Sequence, residues 1–337
     1  MFAYIIRRLF SGVIMLLLIS LVTFILFFAT PVNPAQLTCG KNCTPALIEQ
    51  NAKALGYDKP MIVQWGDFLK GVVVGRDFPD DKALAKTHPE LIAHCPAPCL
   101  GYSPLNSATV NDELKPRIPV SLSIAVVAFV LWILFGVGFG IIAALRRGKF
   151  LDKFLVGLAL VFYSFPSFFI GLFLLQFVAL KWQLTGVPAY TPLTQNPAQW
   201  LSGLILPAVT LALVLMAGYT RLTRAFVLES LGQDYLRTAT AKGLGPRTIL
   251  FKHTLRAALT PIVTQAGLDL AILAGGTIIT EQVFNFQGVG KLTVQAATTW
   301  DLPTTVGVVI LLSTFVIVSN LIVDILYGVI DPRVKRA

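Results

Sequence analysis

Charge is what this sequence has least of. Of its 337 residues only 13% are Asp, Glu, Lys or Arg, while 55% are hydrophobic. Soluble domains carry about twice that charged fraction. A water-soluble fold could not hide so much apolar surface, so the composition places the chain in a bilayer. Catalytic and nucleotide-binding machinery is equally sparse. There is no G-x-x-x-x-G-K-S/T phosphate loop: Gly290-Lys291 is followed by Leu292 and lacks the leading glycine. ATP binding of that kind is excluded. There is no H-E-x-x-H, and the three histidines, His88, His94 and His253, are scattered, which argues against intramembrane metalloproteolysis. No catalytic residue and no metal ligand set is expected. The net charge of +10 does not indicate nucleic acid, because the cations flank apolar runs and form no stripe.

Only helices and closed barrels satisfy every backbone polar group in lipid. The apolar runs here are long and unbroken, not alternating ten-residue segments. The expected fold is therefore an all-α membrane protein with about six transmembrane helices, each close to the roughly 20 residues that cross the hydrocarbon core. The runs cover 9–29, 120–145, 154–180, 201–220, 261–280 and 306–323. The first follows Arg7 and Arg8 and ends on Ala29-Thr30-Pro31, a poor cleavage site, so it reads as a span and not as a signal peptide. Pro166 and Pro207 fall inside or near span starts, where proline kinks a helix or opens its first turn. Gly136, Gly138 and Gly140 line up in the second span, a spacing that points to close helix packing.

Orientation follows from Lys and Arg. If the N-terminus is cytoplasmic, the inside segments hold sixteen basic residues, and the two short outside loops hold only Lys181 and Lys291. The chain is therefore expected to cross a cell membrane several times with both termini cytoplasmic. The resulting layout is a first span at 1–29, an extracytoplasmic insertion at 30–117, a five-span core at 118–328 with a cytoplasmic loop at 221–260, and a tail at 329–337.

The insertion is polar, with nine Lys or Arg and nine Asp or Glu. Segments 46–55 and 61–73 read as helices, and 79–107 reads as a loop rich in Pro and Ala. All four cysteines lie here: Cys39, Cys43, Cys95 and Cys99. An even number outside the cytoplasm reads as disulfides, with three pairings open. A four-thiolate metal site is the sharper alternative, although two C-x-x-x-C pairs are not a usual zinc spacing.

The loop at 221–260 carries seven basic residues against Glu229 and Asp234. Gly243-Leu244-Gly245-Pro246 marks a helix stop followed by a helix start, so helix, tight turn, helix is expected. Asp269 is the one acid well inside an apolar run, where charge is costly and faces a cavity or a partner. It is a candidate for the translocation path, or else a buried hydrogen-bonding group. Asp324 and Asp331 read as helix-end residues that pair with Arg333.

Asp234-Tyr235-Leu236-Arg237-Thr238-Ala239-Thr240-Ala241-Lys242-Gly243-Leu244, followed by His253-Thr254-Leu255-Arg256, resembles the signature of ABC importer permeases. It is similar in particular to the dipeptide and oligopeptide branch. Ala239 and Gly243 match the second Ala and the Gly of the general motif, whereas Arg237 and His253–Arg256 follow the branch's own pattern. Leu55-Gly56-Tyr57-Asp58-Lys59-Pro60 supports the resemblance, as do Glu281-Gln282-Val283-Phe284 with Gly288-Val289-Gly290, and Asp324-Ile325-Leu326-Tyr327-Gly328. Gln287 stands where the branch has proline, and 79–107 has no counterpart.

The resemblance implies a type I ABC importer-like fold. It also implies a second homologous permease, two ATPase subunits that carry ATP and Mg, and an extracytoplasmic peptide-binding protein. The chain itself would hold no cofactor. Asp234, Arg237, Ala239, Lys242, Gly243 and His253 would couple to an ATPase, and Glu281, Gly288 and Gly290 would shape an outer loop or gate. Nickel, glutathione or sugar transport by the same machinery remains open at this stage, as does a stand-alone secondary transporter, channel or membrane scaffold.

Overall fold

The computed structural model of the protein describes residues 2–28, 34–37, 43–79 and 92–330. Cys39 and the pairing expected of Asp324 and Asp331 with Arg333 lie outside what is described. Among the described residues four helices are long and apolar enough to cross a membrane. They are α1 (Phe2–Phe28), α5 (Val110–Leu145), α8 (Pro197–Leu231) and α12 (Leu302–Ile330). Two further candidates are bent pairs. One joins α6 (Phe150–Ser164) to α7 (Ser167–Lys181) at 101°, and the other joins Pro246–Leu270 to Gly275–Phe284 at 61°. The count is four, or six if each pair is one span, which agrees with the helical membrane fold read from the apolar runs.

The two interior prolines act differently. Phe165 is extended at φ −93°, ψ 137°, the conformation that a following proline imposes, and Pro166 then opens α7. Pro207 is buried inside α8, which continues through it. The 35 residues of α8 amount to about 52 Å at 1.5 Å per residue, more than a bilayer core needs. Residues 221–231, read from sequence as loop, are the helical extension of that span.

One compact unit comprises residues up to Pro119 together with Gln287–Ile317. It holds α1, α2 (Pro34–Leu37), α3 (Pro45–Leu55), α4 (Met61–Val74), α11 (Val289–Thr298) and the first half of α12. Strand β1 (Arg76–Phe78) pairs antiparallel with β2 (Ala93–Cys95), and β3 (Tyr102–Ser103) with β4 (Ala108–Thr109). Within 79–107 the described part is therefore a packed structure, where a loop was expected. Cys95 and Ser103 are fully buried, and Cys99 is nearly so. Cys95 and Cys99 form a disulfide and Cys43 is also oxidised, which rules out the four-thiolate site. Ser103 donates to Asp301 Oδ2 at 2.5 Å, and Thr304 donates to the same oxygen at 2.8 Å. This buried knot ties the hairpin to the start of α12.

The second unit comprises Val120–Phe286 and the chain from Val318. Its core gathers Ile124 and Trp132 of α5 with Leu204, Ala208 and Leu211 of α8, and with Leu273 of α10 (Leu255–Phe284). Gly136 and Gly140 let α5 and α8 approach closely. A Cβ on Gly140 would lie 2.5 Å from Thr223 Cβ and 2.7 Å from the Thr220 carbonyl oxygen. Gly138 has nothing within 4 Å, so only the two glycines four apart make the packing seam.

Candidate functional site

The turn after α8 is built by local chemistry. Gln233 is extended at φ −76°, ψ 141° and precedes α9 (Asp234–Ala241), with Asp234 in its first turn, where a carboxylate complements the helix dipole. The helix closes in a Schellman motif. The Leu244 N–H donates to the Ala239 carbonyl at 3.3 Å and the Gly243 N–H to Thr240 at 2.9 Å. That closure needs a left-handed residue, and Gly243 supplies it at φ +80°. A Cβ there would meet nothing within 4 Å, so the requirement is conformational and not spatial. Pro246 then occupies the first position of a short helical turn, Pro246–Thr248. A π-helical stretch, Ile249–Thr254, leads into α10. The helix–turn–helix read from sequence is present.

Leu236 and Ala239 form the buried side of α9, whereas residues 240–248 are all exposed. Tyr235, Leu244 and Phe251 are exposed apolar side chains among exposed Arg237, Lys242, Arg247, Lys252 and Arg256. His253 is half-buried. Arg237 lies 3.5 Å from Asp234 with both side chains almost fully exposed, a pair of little energetic weight. The loop thus presents an apolar and basic ridge. Its base is fixed by Ala144, Val227, Leu255 and Ala258.

Sequence reasoning missed the brace beneath that base. Asp152 of α6 receives Arg224 Nε at 2.6 Å and Nη2 at 2.9 Å, together with the Gly148 N–H at 2.9 Å. The fork geometry suits Arg alone. The signal was available: Asp152 is the lone acid among Arg146, Arg147, Lys149 and Lys153.

Asp269 is buried in α10. Its Oδ2 accepts from the Tyr219 hydroxyl at 2.6 Å and its Oδ1 from Gln265 Nε2 at 3.1 Å. Both carboxylate oxygens are engaged inside the unit, the arrangement of an interior tie. It sits one residue before the end of the first arm of the bent pair, Pro246–Leu270.

Of the three residues expected in an outer loop, Glu281 and Gly290 lie in helices, and Gly288 is the extended residue just before one. Glu281 is fully buried in the last turn of α10 and accepts from Ser121 at 2.5 Å. Asn285, left-handed at φ 58°, ends that helix much as Gly243 ends α9. Gly288 caps α11 and Gly290 lies within it. Hydropathy stops the span at 280 because Glu281 and Gln282 are polar, yet the helix runs on, since Glu281 finds a partner in α5. Among the described residues no group of His, Cys, Asp and Glu could hold a metal.

Residues 136–336 match the family of binding-protein-dependent transport system inner membrane components. Residues 1–125 match the N-terminal region of such membrane components. A probable peptide ABC transporter permease of Sinorhizobium fredii is 34% identical over 332 residues, 98% of this chain and 99% of that one. The dipeptide transport system permease DppB of Escherichia coli strain K12 is 33% identical over 360 residues, covering 100% of this chain and 99% of that one. The two matched regions together span nearly the whole sequence, and the chain belongs to the family of binding-protein-dependent transport system inner membrane components.

Proposed function

We propose that this membrane-spanning permease is one of two such subunits in an ATP-driven importer of dipeptides or oligopeptides. The observation that carries the substrate class is full-length similarity to peptide and dipeptide permeases. In this reading a second, homologous permease completes the path. An extracytoplasmic binding protein delivers peptide, and two ATPase subunits hold ATP and Mg. The exposed ridge at 234–261 is the handle: Gly243 sets the turn, Ala239 lets α9 seat closely, and Arg237 and Lys242 face acidic groups of an ATPase. ATP binding closes the ATPases, carries the ridge along, and switches the permease between two packings. The chain contributes bistable packing and no covalent chemistry. Asp269 would meet substrate only when its bonds to Tyr219 and Gln265 open in the other packing.

The test is Gly243→Trp in the reconstituted importer. The expected result is a folded permease that loses peptide uptake and peptide-stimulated ATP hydrolysis. Normal coupling by that variant would remove the handle from the mechanism. Failure of the native complex to take up any peptide while another solute stimulates its ATPase would overturn the substrate class alone.

A further inference from the structure

Helix α4 has three faces. The first carries Gln64, Asp67 and Gly71 and is satisfied within its own unit. Gln64 Nε2 donates to the Tyr57 and Lys59 carbonyls at 3.3 and 2.8 Å, and Lys59 donates to Asp67 at 2.9 Å. The second carries Met61, Trp65 and Phe68. These cluster with Phe24 and Phe27 of α1 and with Leu302, Val306 and Ile310 of α12. Phe68 lies 5.6 Å from Phe24 between ring centroids, and Trp65 Nε1 donates to Ser20 at 3.0 Å. The third is exposed and apolar: Ile62 57%, Val63 43%, Val73 76% and Val74 71%, with Lys70 its one charge.

Depth decides what covers that third face. Ser20 and Phe24 lie inside the apolar span Ile6–Phe27. At 1.5 Å per residue, Ser20 is about 10 Å in from the end of that span, and Ile310 is about 12 Å in from the start of Leu302–Val323. Two spans independently place the second face of α4 below the edge of the hydrocarbon layer. Elsewhere in the same unit, α1 exposes Val13, Leu17 and Leu26 along its apolar span. In water four exposed branched residues on one short helix would cost burial energy, about 25 cal/mol per Å² of apolar surface. At this depth they cost none, and the Lys70 stem can snorkel to the headgroups.

We propose that α4 is an interfacial anchor whose Ile62, Val63, Val73 and Val74 face rests in the lipid of the leaflet that bounds the C-terminal end of α1. The test places single nitroxide labels through Ile62→Cys, Val73→Cys and Val74→Cys in the oxidised full chain in phospholipid nanodiscs. Collision with oxygen is compared with collision with a water-soluble nickel chelate. Oxygen should dominate severalfold at all three sites, and the chelate should dominate at Lys53→Cys on α3, a side chain 64% exposed. Chelate dominance at the α4 sites would overturn the proposal, and so would shielding from both reagents, which marks a protein cover. Without any label, Val74→Trp should add fluorescence that dibrominated lipid quenches; no added quenching also overturns it.

Discussion

A single methyl group separates two glycines of α5 that look alike in the sequence. At Gly140 a Cβ would press on Thr223 Cβ and on the Thr220 backbone oxygen, and backbone cannot step aside. Gly140→Ala should therefore cost about 1–3 kcal/mol, the usual penalty for overpacking. Gly138→Ala meets open space and should be neutral or stabilising by up to about 1 kcal/mol, because alanine loses less entropy in a helix. Thermal unfolding in detergent reads both, and equal losses would contradict the seam. The same resolution applies to Asp269. Tyr219→Phe removes one buried hydrogen bond and should cost about 1 kcal/mol, measured by the same melt. Asp269→Asn keeps an acceptor for Tyr219, and Gln265 can turn its amide to suit. Uptake by that variant should stay near normal if the residue is a tie, whereas loss of uptake with an unchanged melt would place it on the path.

Elements differ in how plainly the sequence announced them. The helix–turn–helix after α8 was legible because its signals are local: Gly243 at the left-handed stop and Pro246 at the next start. The spans were legible in kind but not in extent, because hydropathy reports the lipid edge and not the helix end. Thus α8 continues to Leu231 and α10 to Phe284. The ladders of the outer segment were not legible, since two- and three-residue strands leave no period to detect. The Asp152–Arg224 brace joins residues 72 apart: the lone acid among four cations marked Asp152 as paired, but nothing local named Arg224 as its partner.

The α4 element also carries an acid-sensitive contact. The Lys59 hydrogen bond, opposed by partial burial, holds the Asp67 carboxyl below the usual carboxylate range. A group lowered on folding contributes stability that is fully present above its unfolded pKa, about 3.9. That contribution fades as pH falls through the lower folded value. Amide exchange over α4 should therefore quicken as pH drops from 5 toward 3 beyond the intrinsic change, by about the effect of one partly exposed ion pair. Asp67→Asn should show faster exchange at pH 5 and no further acid dependence.

At the scale of the whole chain the decisive quantity is the asymmetry of Lys and Arg. With sixteen basic residues assigned to one side and Lys181 and Lys291 to the other, the loop that carries Lys242 and the region that carries Lys53 should face opposite sides of the membrane. The path between them supports this only if the bent pair α6 and α7 is one span. Counting α6 with α7 as a single crossing gives α5, the bent pair and α8 between the two positions, an odd number. Counting the 101° bend as a re-entrant hairpin that returns to its starting side makes the number even and puts both positions on one side. Cysteines at Lys53 and Lys242, probed in intact cells with a membrane-impermeant maleimide, distinguish the two. Labelling at 53 and protection at 242 until the membrane is opened is the expected outcome. Labelling of both in intact cells would show α6 and α7 entering and leaving by the same face. The charge asymmetry would then be a property of the sequence without being its topology.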